Sequence, residues 1–268
     1  MAPDLLHKDI TTALDLHESG QTDQAIQLLT RYITAHPDDC HGYFYRGDLL
    51  ADQGKLDPAI TDYRQGLSYT PDDPDALTTL GDLLFEAAQH DEAIAHYRRV
   101  LQVDPDDADA LVSIGLVYNS LEQYDQALAS FNEALQMDQH NVFALNAIGD
   151  LQYGRGDQQA AIDAYQQAIE LDANDPSAYH NLGELLYDLE EYEQAEENCL
   201  AAIKLAPDFS MTYLTLGGIC MDQERIADAL TYYRRYLQYE TSPQAADMIA
   251  EVKAVVEGLQ EELKLSAP

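Results

Sequence analysis

Apolar and polar positions follow a helical beat that restarts at a fixed interval along the chain. Within 108–141, Leu111, Ile114, Gly115 and Tyr118 keep the three, four, seven spacing of one helical face. Tyr124, Ala127, Leu128, Phe131, Ala134 and Leu135 keep it for a second face. The pattern predicts two helices of ~13 residues, each ~20 Å long at 1.5 Å per residue. Helices this short are marginal alone, so each must bury its apolar stripe against a neighbour.

The same block recurs. Ala25, Ala59, Ala93, Ala127, Ala161, Ala195 and Ala229 stand 34 residues apart. Twelve residues before six of them is a glycine: Gly47, Gly81, Gly115, Gly149, Gly183 and Gly217, with Ala13 in the first block. Four residues after the alanine comes Tyr63, Tyr97, Phe131, Tyr165 or Tyr233, with Leu29 and Cys199 as exceptions. Small residues at facing positions let two helix axes approach, and the aromatic fills the space beyond.

Breakers fall between the blocks. His36-Pro-Asp-Asp, Thr70-Pro-Asp-Asp, Asp104-Pro-Asp-Asp and Ala206-Pro-Asp mark the exits of second helices. There Pro blocks continuation and Asp is expected to cap the next helix. Asp57-Pro58 reads as a cap followed by Pro in the first turn of a second helix. Gly20, Gly54 and Gly156 sit at the turn inside a block, where positive φ is expected.

These residues resemble the tetratricopeptide repeat, a pattern of a large apolar residue, Leu-Gly, Tyr, Ala, aromatic, Ala and Pro over 34 positions. The match covers 6–243 as seven gapless repeats: 6–39, 40–73, 74–107, 108–141, 142–175, 176–209 and 210–243. The resemblance implies an all-α fold, a right-handed superhelical α-solenoid of helix-turn-helix repeats, acting as a protein-interaction scaffold without cofactor or enzymatic activity. Repeat one departs from the pattern at Asp9, Thr12 and Thr22, and Tyr32 and Tyr236 replace a small residue in the first and last repeats. Residues 1–5 are an N-terminal extension and 266–268 a tail. Over 244–265, Ala245, Met248, Ile249, Val252, Val256, Leu259 and Leu263 form a stripe expected to close the array as a capping helix, with a dimerisation helix as the alternative.

Charge changes the picture of partners. The chain has 49 acids against 14 bases, a net −35. Such a field argues against nucleic acid and anionic membranes, whose phosphates need Lys and Arg. It is compatible with basic partners, and also with adaptation to high salt, where self-repulsion is screened. No apolar run approaches the ~18 residues of a membrane span, so no direct membrane insertion is expected. The start, Met1-Ala-Pro-Asp-Leu-Leu-His-Lys, lacks the apolar core of a secretory signal, and a cytoplasmic location is the expectation.

Candidate chemistry is sparse. Cys199 and Cys220 occupy core positions, where buried thiols are expected and a redox pair is the alternative. Cys40 opens a helix. Asp104-Pro-Asp-Asp-Ala-Asp109 looks like a calcium loop but lacks the Gly and Glu such loops need, so the Asp pairs are read as caps. No metal set, phosphate loop or catalytic dyad stands out.

The resemblance also implies a groove lined by positions 2, 5, 6, 9, 12 and 13 of each first helix. Those 42 positions hold 11 acids and no Lys or Arg. A Lys/Asn/Arg clamp for chaperone C-terminal tails is therefore missing: Ile10, Phe44, Asp75 and Thr79 stand at its positions. The candidate peptide-binding residues are Phe44, Tyr45, Asp48, Asp82, Phe85, Glu86, Asn119, Asn146, Asp150, Tyr153, Asn181, Glu184, Tyr187 and Asp188, with Phe143 beside them. Carboxylates beside aromatic faces suit a basic or amphipathic peptide or helix, through ion pairing and cation–π contact. Packing of the rings between first helices as ordinary core is the other reading. A homo-oligomer, with the groove of one copy receiving the terminal helix of another, is the alternative function.

Overall fold

The computed structural model describes residues 8–242 and 245–265, with side chains as far as 263. The expected extension 1–5, the tail 266–268 and the outermost residues of the first and last repeats lie outside the described residues. Among those described, the chain is all α, with fifteen helices and no strand.

Two compact units divide at Gln139 and His140. The first holds α1 (Lys8–Glu18), α2 (Thr22–Ala35), α3 (Cys40–Asp52), α4 (Leu56–Leu67), α5 (Pro74–Glu86), α6 (His90–Val103), α7 (Ala108–Ser120) and α8 (Tyr124–Met137). The second holds α9 (Val142–Gly154), α10 (Gln158–Leu171), α11 (Pro176–Asp188), α12 (Tyr192–Leu205), α13 (Ser210–Asp222), α14 (Ile226–Tyr239) and α15 (Ala246–Leu265). Odd and even helices pair as hairpins, and within each unit the second helix of one hairpin packs on the first helix of the next.

The alanine series marks where the hairpins close. All seven alanines, from Ala25 to Ala229, are 0% exposed. The aromatic one turn later lies over the glycine of the partner helix. A Cβ built on Gly115 would sit 2.3 Å from the Phe131 ring, well inside contact distance. In α11 the partner is Cys199, whose Sγ would be 2.6 Å from a Cβ on Gly183. Cys199 and Cys220 are fully buried free thiols, and Cys40 is a free, buried third. Burial pushes the Cys199 thiol up to about 12.

Each hairpin turns through one left-handed residue. Gly20, Gly54 and Gly156 have φ of 78°, 70° and 80°, and Ala88, Glu122, Glu190 and Glu224 adopt φ between 56° and 61° at the same register. The geometry is therefore imposed by the hairpin even where no glycine relieves it.

Asp39, Asp73 and Asp107 cap α3, α5 and α7, accepting from His41 N (3.1 Å), Ala76 N (3.1 Å) and Ala110 N (2.9 Å). Asn141 and Asp175 do the same for α9 and α11. Two expected caps are corrected. Asp57 lies inside the first turn of α4, which follows Lys55, so only its Pro58 neighbour plays the expected part. Ahead of α13 the cap position is Phe209, which offers no side-chain acceptor, and Asp208 precedes it.

Tyr32 and Tyr236 are both buried, the hydroxyl of Tyr236 without a hydrogen-bond partner among the described residues. Tyr32 is buried against Gly42, where a Cβ would stand 2.9 Å from its ring, and its hydroxyl donates to Asp39. Tyr236 belongs to the cluster completed by Val252, Val256 and Leu259 of α15. That helix covers the end of the second unit with those three residues, while Met248 and Val255 remain 40% exposed. No helix among the described residues is long and apolar enough to cross a membrane.

Candidate functional site

The first helices α5, α7, α9, α11 and α13 contain no Lys or Arg. The exception on α3 is Arg46, which turns into its own hairpin. Its Nε and Nη2 donate to Asp62 of α4, both at 2.7 Å, with side-chain exposures of only 20% and 6%. The carboxylates of these helices therefore face no fixed cation on their own face.

A regular hydrogen-bond register organises them. Three hairpins share a link from the second-helix tyrosine to an aspartate 15 residues earlier on the first helix. Tyr63 donates to Asp48, Tyr97 to Asp82 (2.6 Å) and Tyr165 to Asp150 (2.7 Å). Where the aromatic is Phe131 or the residue is Leu29, the matching first-helix positions are Leu116 and Leu14. The last two repeats depart from this pairing, with Glu184 opposite Cys199 and Gly218 opposite Tyr233.

A second register joins consecutive first helices at a separation of 35 residues. Tyr153 of α9 donates to Asp188 of α11, and Tyr187 of α11 donates to Asp222 of α13 (2.9 Å). In the first unit His17 Nε2 stands 3.4 Å from Asp52 in the same register. Asn181 adds a bond to Asp150 Oδ1 at 3.1 Å, and Asn146 donates to Asp175, the cap of α11, at 2.8 Å. Both asparagines are thus engaged with carboxylates inside the second unit. The Oδ1 of Asn146 is buried with no hydrogen-bond partner among the described residues.

Burial lifts the carboxyls of Asp48, Asp82 and Asp150 above the usual range, against the lowering effect of the tyrosine bonds, although each keeps part of its surface in solvent. Glu184 is raised by burial and then by the charges of Asp188 and Asp150. Both neighbouring charges thus act on Glu184, and neither α9 nor α11 carries a Lys or Arg. The tyrosine hydroxyls of both registers are held well above their ordinary value, by burial first and by their aspartates second.

Among the described residues of the first helices, His180 is the one buried imidazole. It contacts Thr212 Oγ1 at 3.2 Å and packs on Phe209, and burial lowers it to about 4. Glu184 at 3.8 Å is half in solvent and does not offset that loss of hydration.

The rings divide. Phe44 packs against Tyr63 and fills the space a side chain would take on Gly66. Phe85 leans on the apolar cluster of the first unit, and Tyr45 on that of the first hairpin, both half-buried. Phe143, in the first turn of α9, is 71% exposed. Glu86 is exposed on the last turn of α5, and Asn119 is half-buried on the last turn of α7. The tyrosine registers were not expected from sequence, although the paired spacings of Tyr and Asp carry the signal.

The Asp39, Cys40 and His41 donors at the start of α3 lie within 4.8 Å of one another. Asp39 there is already the acceptor for Tyr32, for the backbone of His41 and for its ring. The positive end of the helix dipole opposes a cation at that place.

Family models described as tetratricopeptide or TPR repeats match residues 12–39, 47–87, 78–142, 149–190 and 176–209, leaving only short gaps between 12 and 209. No curated protein sequence matches the chain. Among solved structures, a tetratricopeptide repeat protein from Parabacteroides merdae is 19% identical, with a TM-score of 0.71 over 91% of this chain and 97% of its own. Yeast Tom70 is 16% identical, with a TM-score of 0.81 over 96% of this chain and 55% of its own. Cut9–Hcn1, an APC/C hetero-tetramer, gives 18% identity and a TM-score of 0.63 over 94% of this chain and 50% of its own. The chain thus spans about half the length of the last two. Periodic alanine and glycine, hairpin packing, family models and solved structures agree, and the chain belongs to the tetratricopeptide-repeat family.

Proposed function

We propose that the chain is a protein-binding scaffold whose first-helix faces hold a peptide or helical segment of net positive charge. One observation carries this reading: those helices present carboxylates without a cation, since Arg46, their lone base after α1, is spent on Asp62. The second unit supports it best. There Glu184 feels the charges of Asp188 and Asp150, a cost that a Lys or Arg side chain from a partner would relieve. Phe143, exposed at the start of α9, supplies an apolar contact for an amphipathic segment.

The test is titration of the protein with labelled basic, neutral and acidic peptides of equal length, followed by fluorescence anisotropy. Basic peptides should bind, and binding should weaken steeply with added NaCl. Best binding to acidic peptides, or affinity indifferent to salt, would overturn the proposal. Glu184→Gln should weaken basic-peptide binding several-fold, because it removes the most crowded of the three charges.

Self-association through α15 is a second reading, favoured by Met248 and Val255 on its outer face. Light scattering across a concentration series tests it. A mass that rises in the native chain and stays monomeric in Met248→Glu/Val255→Glu supports it, and a monomer throughout rejects it.

A further inference from the structure

The tyrosine registers bear on which basic side chain the face accepts. Asp48, Asp82 and Asp150 each receive a tyrosine hydroxyl on Oδ1, and Asp188 and Asp222 each receive one on Oδ2. Asp150 Oδ1 also takes the Asn181 amide, so both acceptor sites of that oxygen are filled. In every pair the tyrosine takes one acceptor site of one carboxylate oxygen and holds the carboxylate's orientation, and at Asp150 Oδ1 no site is left.

Arginine binds a carboxylate best through a planar fork, two parallel N–H donors on two oxygens of one edge. A tyrosine on one of those oxygens crowds that edge. The lysine ammonium is a compact point charge with three rotatable donors and needs one oxygen. It can also sit among several carboxylates at once, as the grouping of Asp150, Glu184 and Asp188 offers. Of the candidate acids, only Glu86 and Glu184 lack a tyrosine partner on either oxygen.

We infer that the tyrosine–aspartate registers make the face selective for lysine-bearing over arginine-bearing segments, with Tyr153, Tyr165 and Tyr187 as specificity-determining residues in the second unit. The inference rests on the basic-partner reading proposed above. It concerns a choice between two side chains of equal charge, so electrostatic attraction alone does not produce it.

The experiment compares two short peptides identical except that every Lys of one is Arg in the other, measured by anisotropy against the full chain. The Lys peptide should bind about three- to ten-fold tighter, the range a lost second hydrogen bond spans. Tyr153→Phe/Tyr187→Phe frees one edge of Asp188 and Asp222 and should move the ratio toward parity by improving the Arg peptide. Both tyrosines are only half-buried, so the variant is expected to stay folded, with circular dichroism as the check. Should the double variant unfold, Tyr153→Phe alone serves. Equal binding, tighter Arg binding, or a Lys preference unchanged by Tyr→Phe would each overturn the inference while leaving the scaffold reading intact. Binding of neither peptide would instead overturn the reading on which it rests.

Discussion

Tyr165 on α10 donates its hydroxyl to Asp150 on α9 at 2.7 Å, tying the rim of the hairpin to its core aromatic. The same ring lies over Gly149, where a Cβ would stand 2.3 Å away. One residue therefore serves packing through its face and the charged surface through its edge.

Tyr165→Phe should keep the packing and lose the bond. A hydrogen bond to a partly exposed carboxylate contributes about 1–2 kcal/mol, so the unfolding free energy from urea denaturation should fall by that amount and the midpoint with it. Adding Asp150→Leu, the pairing seen at Phe131 and Leu116, should recover most of it. A double variant no more stable than the single one would show that the bond is not the source of the loss.

The turns at Ala88, Glu122, Glu190 and Glu224 hold positive φ without glycine. A left-handed conformation costs a non-glycine residue about 1 kcal/mol or more. Glu122→Gly should accordingly stabilise the protein by roughly 0.5–1 kcal/mol, after the extra chain entropy of glycine is counted. Gly54→Ala should destabilise it by a similar amount. Chemical denaturation reads both.

Gly115 and Gly258 should respond to alanine with opposite signs. A methyl at Gly115 collides with Phe131 in a closed hairpin, at a cost of about 1–3 kcal/mol. Nothing lies within 4 Å of a Cβ at Gly258 on α15, so helix propensity should win there and stabilise by up to ~1 kcal/mol. Thermal melts of the two variants settle the sign.

His180 should make stability sensitive to acid. Its folded-state value of about 4 lies below the ordinary histidine range, so the unfolded chain binds the proton first. Stability from this group is present above the unfolded value near 6.5 and is lost as pH falls toward the folded one, on the order of 2 kcal/mol by pH 5. Asp48, Asp82, Asp150 and Glu184 act in the opposite sense. Their raised folded values favour the protonated native state, so stability rises as pH falls through the window just above ~4. His180→Asn should therefore gain on the native chain between pH 7 and 5, and Asp150→Asn should gain least at the acid end. Denaturation curves at the two pH values would show a pH-independent difference if the assignments are wrong.

The fold was legible because repetition multiplies weak signals. A single alanine says little, but seven at one spacing fix the register, and the register assigns Gly, aromatic and breaker to their places without coordinates. The caps at Asp39, Asp73 and Asp107 were legible for the same reason, since a helix start needs an acceptor at a known offset. Asp57 and Asp208 were misplaced because cap identity depends on where the first turn closes, a matter of two residues in the first case and one in the second.

Sequence alone determined the helical hairpins, their number and the absence of bases from the predicted groove positions, because these depend on spacing and composition. Only tertiary structure decided what the carboxylates do. Whether Asp150 faces a partner or a tyrosine depends on two helices meeting, and the contact spans 15 residues that no local pattern connects. Tertiary structure also chose between readings of the rings, packing Phe44 over Gly66 and leaving Phe143 open. The two rings stand at different places in the repeat, position 5 for Phe44 and position 2 for Phe143, and only the packed helices show that the first turns inward over a glycine while the second stays in solvent.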